Sequence, residues 1–544
     1  MEYNMPHIPL GTLFGALILT PIVLPLLQIV VSLLRTTFSA SRVVPGPSGG
    51  HFLFGYMGII RNAVKGEWHE EMVKKYDHVI NSSLWQNQLF TTDPKALSRI
   101  LTNTDVYQKP NPERYALGQI VGKGVLYAEG ADHKRQRRVL NPAFSLGHLK
   151  ELSEIFLSKS QELRDILAGQ IKEASAPGTS PSASVDMLLY LTQATLDMIG
   201  PSGFNYSFDA LSNKQTGLAQ AIATVIHPPL GIPISFILKT QFPFLRKIMV
   251  FDKHTRDITR ARKQMDDIGR DLVQRKKAEI LEEKTTGGDS VAKLKDLLSV
   301  LIRSNMRERG NGLTDDEVLY QIPTFLVAGH KTTATSTTWA LFSLGAHSEV
   351  QRRLRSELLL VPTDTPTTGE LDSLVYLDAF VRETLRFHSV VAAVPREAVR
   401  DDIIPLEKPF VGTDGKLRDV INVQGRYLSR SHFDDDIWGP DAKEFNPDRW
   451  LDQGPPGASQ SIPSVWGNQL TFLAGPRACI GFKFSLIEMK ALLFPLIRSF
   501  EFELAVPSEQ ITRKTAIVTQ PEVKSEPTKG GQLPMIIRPV THAT

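Results

Sequence analysis

The chain has 544 residues, 42% hydrophobic and 22% charged, with 38 Gly and 35 Pro, a balance that excludes intrinsic disorder and collagen-like architecture. Lys and Arg number 62 against 58 Asp and Glu, a formal net charge of +4, too small and too evenly spread for a nucleic-acid surface. The single cysteine excludes intrachain disulfides and any metal or iron–sulfur site built from several cysteines.

From Ile8 to Leu34 no residue is charged, and Leu, Ile and Val dominate. As a helix this stretch is about 40 Å long, enough to span a bilayer with tilt, with Pro9, Pro21 and Pro25 as kinks. The rival, a cleaved signal peptide ending near Ser39–Ser41, fits less well, because Glu2 and no Lys or Arg precedes the run, and the run exceeds a signal h-region. Arg35 and Arg42 follow it, which places the body of the protein in the cytosol. The expected organisation is a short lumenal terminus over 1–7, a transmembrane anchor over 8–34, a basic and Pro/Gly-rich hinge over 35–50, and one folded domain over 51–544.

Within that domain, apolar residues recur at helical spacing over 148–171, 251–283, 291–305 and 315–347. Strand patterns are confined to 78–92, 394–424 and the carboxyl end. The stretches 174–184, 284–290 and 452–463 read as surface loops, and the fold class as mainly α with small β-sheets. In chain order the chemistry-bearing segments are the basic run His133–Arg138, the Thr-rich helix over 322–342, Glu383 and Arg386 one turn apart on a helix face, and the loop around the lone Cys479. The segment after Cys479 has helical periodicity, so the thiol sits near a helix N-terminus, where the dipole and free amides favour thiolate. Gly475 and Gly481 let the backbone bend close to the sulfur, and Arg477 adds a cation. A metal-bound thiolate suits these surroundings.

The run Phe472-Leu473-Ala474-Gly475-Pro476-Arg477-Ala478-Cys479-Ile480-Gly481 resembles the haem-binding loop of the cytochrome P-450 monooxygenases. Glu383-Thr384-Leu385-Arg386 resembles the E-x-x-R helix of that family, and Phe445-Asn446-Pro447-Asp448-Arg449-Trp450 the segment that supplies its second arginine. The resemblance covers roughly 40–540. It implies the cytochrome P-450 fold after one transmembrane helix, with haem b held by Cys479 as axial thiolate. Arg477, Arg396, His133 and Arg137 would meet the propionates, with His133 standing where the family commonly has Trp, and Phe472, Gly475 and Gly481 would shape the loop. Glu383, Arg386 and Arg449 would form a buried structural triad.

Ala328-Gly329-His330-Lys331-Thr332-Thr333 resembles the oxygen-side helix, with Lys331 where the family has an acid. Thr332 is the implied proton-relay alcohol, with His330 and Lys331 as further candidates and Gly329 as the residue that opens the oxygen groove. Substrate contacts would come from Phe325, Ala328, Val390, Val391, Ala393, Ala516 and Ile517, apolar residues suited to a lipophilic guest. The implied activity is oxidation of a small molecule, a terpenoid or other secondary metabolite, with O2 and electrons from NADPH through a separate reductase, and with cytochrome b5 as a further donor. Arg477, Lys483 and the basic 134–138 helix are the expected docking face, and the endoplasmic reticulum membrane the expected location. The alternatives are a haem-thiolate isomerase, dehydratase or peroxide-driven enzyme, and a haem carrier or sensor without turnover.

Overall fold

The computed structural model describes residues 40–47, 67–81 except 77, and 88–540 except 176–177, 179, 213–233 apart from 218 and 221, 244, 250–252, 287–294, 309, 392–393, 430–437, 452–462 and 516–517; of the amino-terminal segment it describes only positions 23, 27, 30, 31 and 34. Apart from those five positions the expected anchor, and all of residues 48–66, therefore lie outside the described residues. No described helix is long and apolar enough to cross a membrane.

The helices that build the site are labelled in chain order: α1 (Pro94–Thr102), α2 (Gly130–Leu140), α3 (Leu146–Ala174), α4 (Met187–Phe204), α5 (Lys253–Thr286), α6 (Asp315–Ala346), α7 (Val375–Phe387) and α8 (Phe482–Ser499). Helix α6 starts at a capping box, in which Thr314 and Glu317 satisfy each other's backbone N–H groups. It runs for 32 residues, about 48 Å, and is buried nearly all round, as expected of a core helix. Its buried threonines carry little polar penalty, because Thr335, Thr337 and Thr338 donate to the carbonyls of Lys331, Thr333 and Ala334 one turn back. The main core joins α3, α4, α6 and α8, with Phe156 of α3 edge-on to Phe484 of α8 at 4.8 Å.

The largest sheet has the order β1–β2–β6–β5–β3, formed by Val79–Asn81, Gln88–Thr91, Leu417–Ser429, Val394–Val411 and Tyr107–Gln108. Strands β5 and β6 make an antiparallel hairpin with register shifts between Ala398 and Asp402 and between Pro405 and Phe410. The core of this sheet also takes in Val44. Part of the expected hinge is thus fastened: the Asn81 N–H donates to the Pro45 carbonyl at 2.8 Å, and a side chain at Gly46 would collide with the Asn81 carbonyl.

Candidate active site

The loop before α8 is shaped by its backbone. The Cys479 N–H donates to the Phe472 carbonyl at 2.8 Å, and Phe472 is buried against Trp466 and Phe482. Gly475 sits at φ +63, and a Cβ there would lie 2.7 Å from the Leu101 carbonyl at the end of α1, so conformation and space both require glycine. Gly481 is different: its φ is −92 and a Cβ would meet only Phe144 at 3.6 Å. Its contribution is its amide, which donates to the Cys479 sulfur. Cys479 is exposed although it lies deep within the protein, so it faces a hollow rather than packed side chains. Burial pushes its thiol up, against the lowering effects of the Gly481 amide and Arg137. A metal bound in the hollow would supply the charge that holds such a buried sulfur as thiolate.

Beside the loop the charges do not balance. Arg477 donates to the Ala128 carbonyl at 2.7 Å and pairs with Glu129. Lys109 pairs with the same Glu129 at 3.0 Å, Arg137 donates to the Ala478 carbonyl at 2.6 Å, and buried Arg396 donates to the Pro395 carbonyl at 2.9 Å. Burial first, and then Arg477, Lys109 and Arg137, push the His133 imidazole down to about 3. Burial and Arg477 bring Lys109 down to about 8, and burial, with Arg396, Arg114 and Arg137, brings Arg477 down to about 10. Arg477 and Lys109 thus share the single carboxylate of Glu129, Arg396 is also influenced by it, and Arg137 adds a further cation near Arg477. Such an excess suits a dianionic guest, and the two carboxylates of a haem fit it. The sequence-derived candidates Arg137, Arg396, Arg477 and His133 lie in this cluster, which also contains Lys109 and Glu129, neither of which the sequence had singled out.

On α6, Ala328 is exposed and Gly329 and Thr332 partly so, within a stretch otherwise buried on both flanks. Ala328 and Thr332, four residues apart, share one face of α6, and the Thr332 hydroxyl donates to the Ala328 carbonyl at 2.6 Å. The segment 125–129 ties this helix to the cysteine loop: the Val125 N–H donates to the Gln321 side chain at 3.1 Å, and the Ala128 carbonyl accepts from Arg477. A second tie joins Thr333 to Ser485 of α8 at 3.1 Å. Exposed Leu126 lies on the first of these connections.

Other expected residues are placed elsewhere. Lys331 is buried; burial lowers its affinity for a proton, and Asp186, just before α4, is the charge that supports it. His330 is buried, with Nδ1 bonded to the Leu326 carbonyl at 2.5 Å. Neither is exposed as Ala328 is. A Cβ at Gly329 would stand 2.9 Å from Ile199 Cδ1 of α4, so this position also packs closely. Phe325 is buried between Phe144 at 5.5 Å and Phe204 at 6.4 Å. Val390 is buried with Trp339 and Val518, whereas Val391 is exposed. Ala393, Ala516 and Ile517 lie outside the described residues. The expected docking face also changes: Arg477 is buried, Arg135 pairs with Glu317 and Arg138 with Glu308.

Glu383 of α7 is fully buried and accepts five hydrogen bonds: Arg386 Nε and Nη2 at 2.8 Å each, Arg449 Nε at 3.1 Å, Trp450 Nε1 at 2.9 Å and the Asn446 N–H at 2.8 Å. Arg386 continues to the Ala442 and Glu444 carbonyls.

Another buried acid has no such support. Both carboxyl oxygens of Glu488 on α8 lack a hydrogen-bond partner, and burial drives this group well above the usual carboxylate range, with Thr333 as the only opposing neighbour. The folded state thus binds a proton that the unfolded chain releases above about pH 4.5, so this stability contribution is complete below that pH and is lost as pH rises toward the folded value. Glu488→Gln is expected to gain melting temperature relative to the parent at pH 8 and little at pH 4.5. A difference independent of pH would refute a neutral Glu488.

Comparison with known proteins agrees with this geometry. A family model for cytochrome P-450 matches residues 44–525. The chain is 42% identical over 529 residues to cytochrome P-450 monooxygenase 205 of Postia placenta, covering 94% of this chain and 95% of the relative. It is 40% identical over 524 residues to monooxygenase 128 of the same fungus, covering 92% and 93%. It is also 32% identical over 468 residues to the ganoderic acid synthetase of Ganoderma lucidum, covering 81% and 83%. With a thiol open to a deep hollow, a surplus of buried cations beside it and a threonine-bearing helix tied to its loop, the chain belongs to the cytochrome P-450 family of haem-thiolate, oxygen-incorporating oxidoreductases.

Proposed function

We propose that the chain is a membrane-anchored monooxygenase that oxidises a lipophilic small molecule, of terpenoid or other secondary-metabolite type, with electrons from NADPH through a separate reductase. The observation that carries this reading is an exposed Cys479 thiol on a loop whose following helix is tied through Ser485 to α6, the helix that exposes Ala328 and, in part, Thr332. The relative named for ganoderic acid synthesis supports the substrate class. When bound, haem supplies the activation of O2 and the insertion of one oxygen atom into the substrate.

The chain's own residues do the rest. Cys479 holds the metal, and the Gly481 amide tunes the electron density of its sulfur. Lys109, Arg137, Arg396, Arg477 and His133 hold the carboxylates. Apolar Ala328, Leu126 and Val391 exclude water and bind the substrate, and the Thr332 hydroxyl, which already donates to Ala328, holds a proton at the oxygen-binding face. The buried place of Lys331 beside Asp186 argues against the isomerase and dehydratase alternatives, which rested on Lys331 displacing the relay. Exposed apolar side chains at helical spacing, Val23, Leu27, Val30, Val31 and Leu34, support an endoplasmic reticulum anchor over 8–34 ahead of a single domain.

Turnover of a lipophilic metabolite mixture with reductase, NADPH and isotopically labelled O2 is expected to put one labelled oxygen into product. Equal product without NADPH and reductase would sink the reading. In the same assay Thr332→Ala raises hydrogen peroxide release relative to product, while Lys331→Met leaves the ratio near the parent's; the reverse order would return the relay to Lys331.

A further inference from the structure

Glu129 occupies the N-cap of α2 without capping it: no hydrogen bond from its side chain reaches the first turn, although a carboxylate suits that place. The side chain turns toward the cysteine loop instead. It pairs with Arg477 and accepts from Lys109 twice, from Nζ at 3.0 Å and from the backbone N–H at 3.3 Å. The Glu129 and Arg477 side chains are 7% and 6% exposed, so solvent screens this pair weakly. Glu129 is also the acid whose charge supports buried Arg396 of β5. One carboxylate thus serves cations from three separate segments of the chain.

The two donors it engages are ones that the carboxylates of haem would use. An arginine fork and an ammonium bind any carboxylate by the same charge-assisted hydrogen bonds, so Glu129 and the haem carboxylates draw on one set of N–H groups. The Ala128 carbonyl, at 2.7 Å, holds the Arg477 guanidinium in place, whereas the Glu129 oxygens take up part of its donor capacity. In a water-poor site a fixed negative charge also repels other anions and disfavours an electron added nearby. A solvated glutamate would do little of either.

We propose that Glu129 acts as a third carboxylate of the haem-edge site, competing with the haem carboxylates for Arg477 and Lys109, and so sets how tightly haem is held and the potential at which its iron is reduced. The proposal rests on the assignment of these cations to the haem carboxylates and adds a residue that works against them. Glu129 is a positioning residue, acting through Arg477 and Lys109.

The test compares the full, haem-loaded chain with Glu129→Gln, Glu129→Asp and Arg396→Gln. The ferric–ferrous midpoint is read by dithionite titration, and haem loss by transfer to excess apomyoglobin. Glu129→Gln keeps the shape and an accepting oxygen but removes the charge, so an upward shift of the midpoint and a several-fold slower transfer are expected. Glu129→Asp retains the charge and should stay close to the parent in midpoint. Arg396→Gln should speed transfer, because it removes a cation and no acid. A Glu129→Gln protein whose midpoint does not rise, or which loses haem at least as fast as the parent, overturns the proposal; faster loss is what a purely structural clasp would give. An Asp variant that shifts as far as Gln likewise overturns it, because charge would then not be the cause. If Arg396→Gln leaves transfer at the parent rate, the carboxylate assignment itself falls, and Glu129 loses its role with it.

Discussion

Cys479→Ser is expected to fold, to lose the reduced-CO absorption band characteristic of a thiolate ligand, and to lose turnover to background. Folding should survive because the Cys479 side chain faces the hollow and contributes little packing, while the loop depends on the Cys479 amide and on Gly475, which the substitution leaves in place. The spectrum should fail because a serine hydroxyl does not provide the soft anionic donor that thiolate provides. The surplus of cations around Glu129 is untouched, so some haem should still associate. A Cys479→Ser variant that kept the thiolate band would overturn the ligand assignment, whereas loss of the band together with loss of the denaturant midpoint would show that the cysteine is structural.

Glu383→Ala is expected to give the largest loss of stability, about 3–5 kcal/mol, the range for removing one partner of a buried ion pair. Arg386 and Arg449 are nearly or wholly inaccessible to water, so removing the carboxylate leaves Arg386 with carbonyl acceptors alone, takes one of the two carboxylates that Arg449 shares with Asp441, and leaves the Trp450 and Asn446 N–H groups without their acceptor. Glu383→Gln keeps the shape but lacks the charge and can accept with one oxygen only, so it should fall between parent and Ala. Urea midpoints and haem retention on gel filtration measure this series. A midpoint for Glu383→Ala within experimental error of the parent would show that the network carries no net stability.

What was legible in the sequence was local. The Cys479 loop could be read because its backbone needs glycine at 475 and its donor atom lies within the same ten residues. Glu383 and Arg386 could be read because one helical turn brings them together. Lys109 and Glu129 could not, because their cluster forms only when segments around 109, 129, 133, 396 and 477 converge, and no spacing within any one segment signals that.

The burial of Lys331 was hidden by helix geometry. Each residue turns the side chain by about 100°, so sharing a motif with Thr332 does not mean sharing its face. Glu488 was missed because an acid on a helix ordinarily reads as solvated. The β5–β6 hairpin was legible as strand, but its outward aliphatics were not, since alternation alone does not say which face meets the core.

The short segment 125–129 touches both the oxygen-side helix and, through Ala128 and Glu129, the arginine beside the cysteine. If Leu126 lines the substrate chamber as proposed, a smaller side chain there is expected also to slacken the hold of this segment on Arg477. Variants selected there for bulkier guests should leak cofactor unless a compensating change tightens Arg477 on its partners.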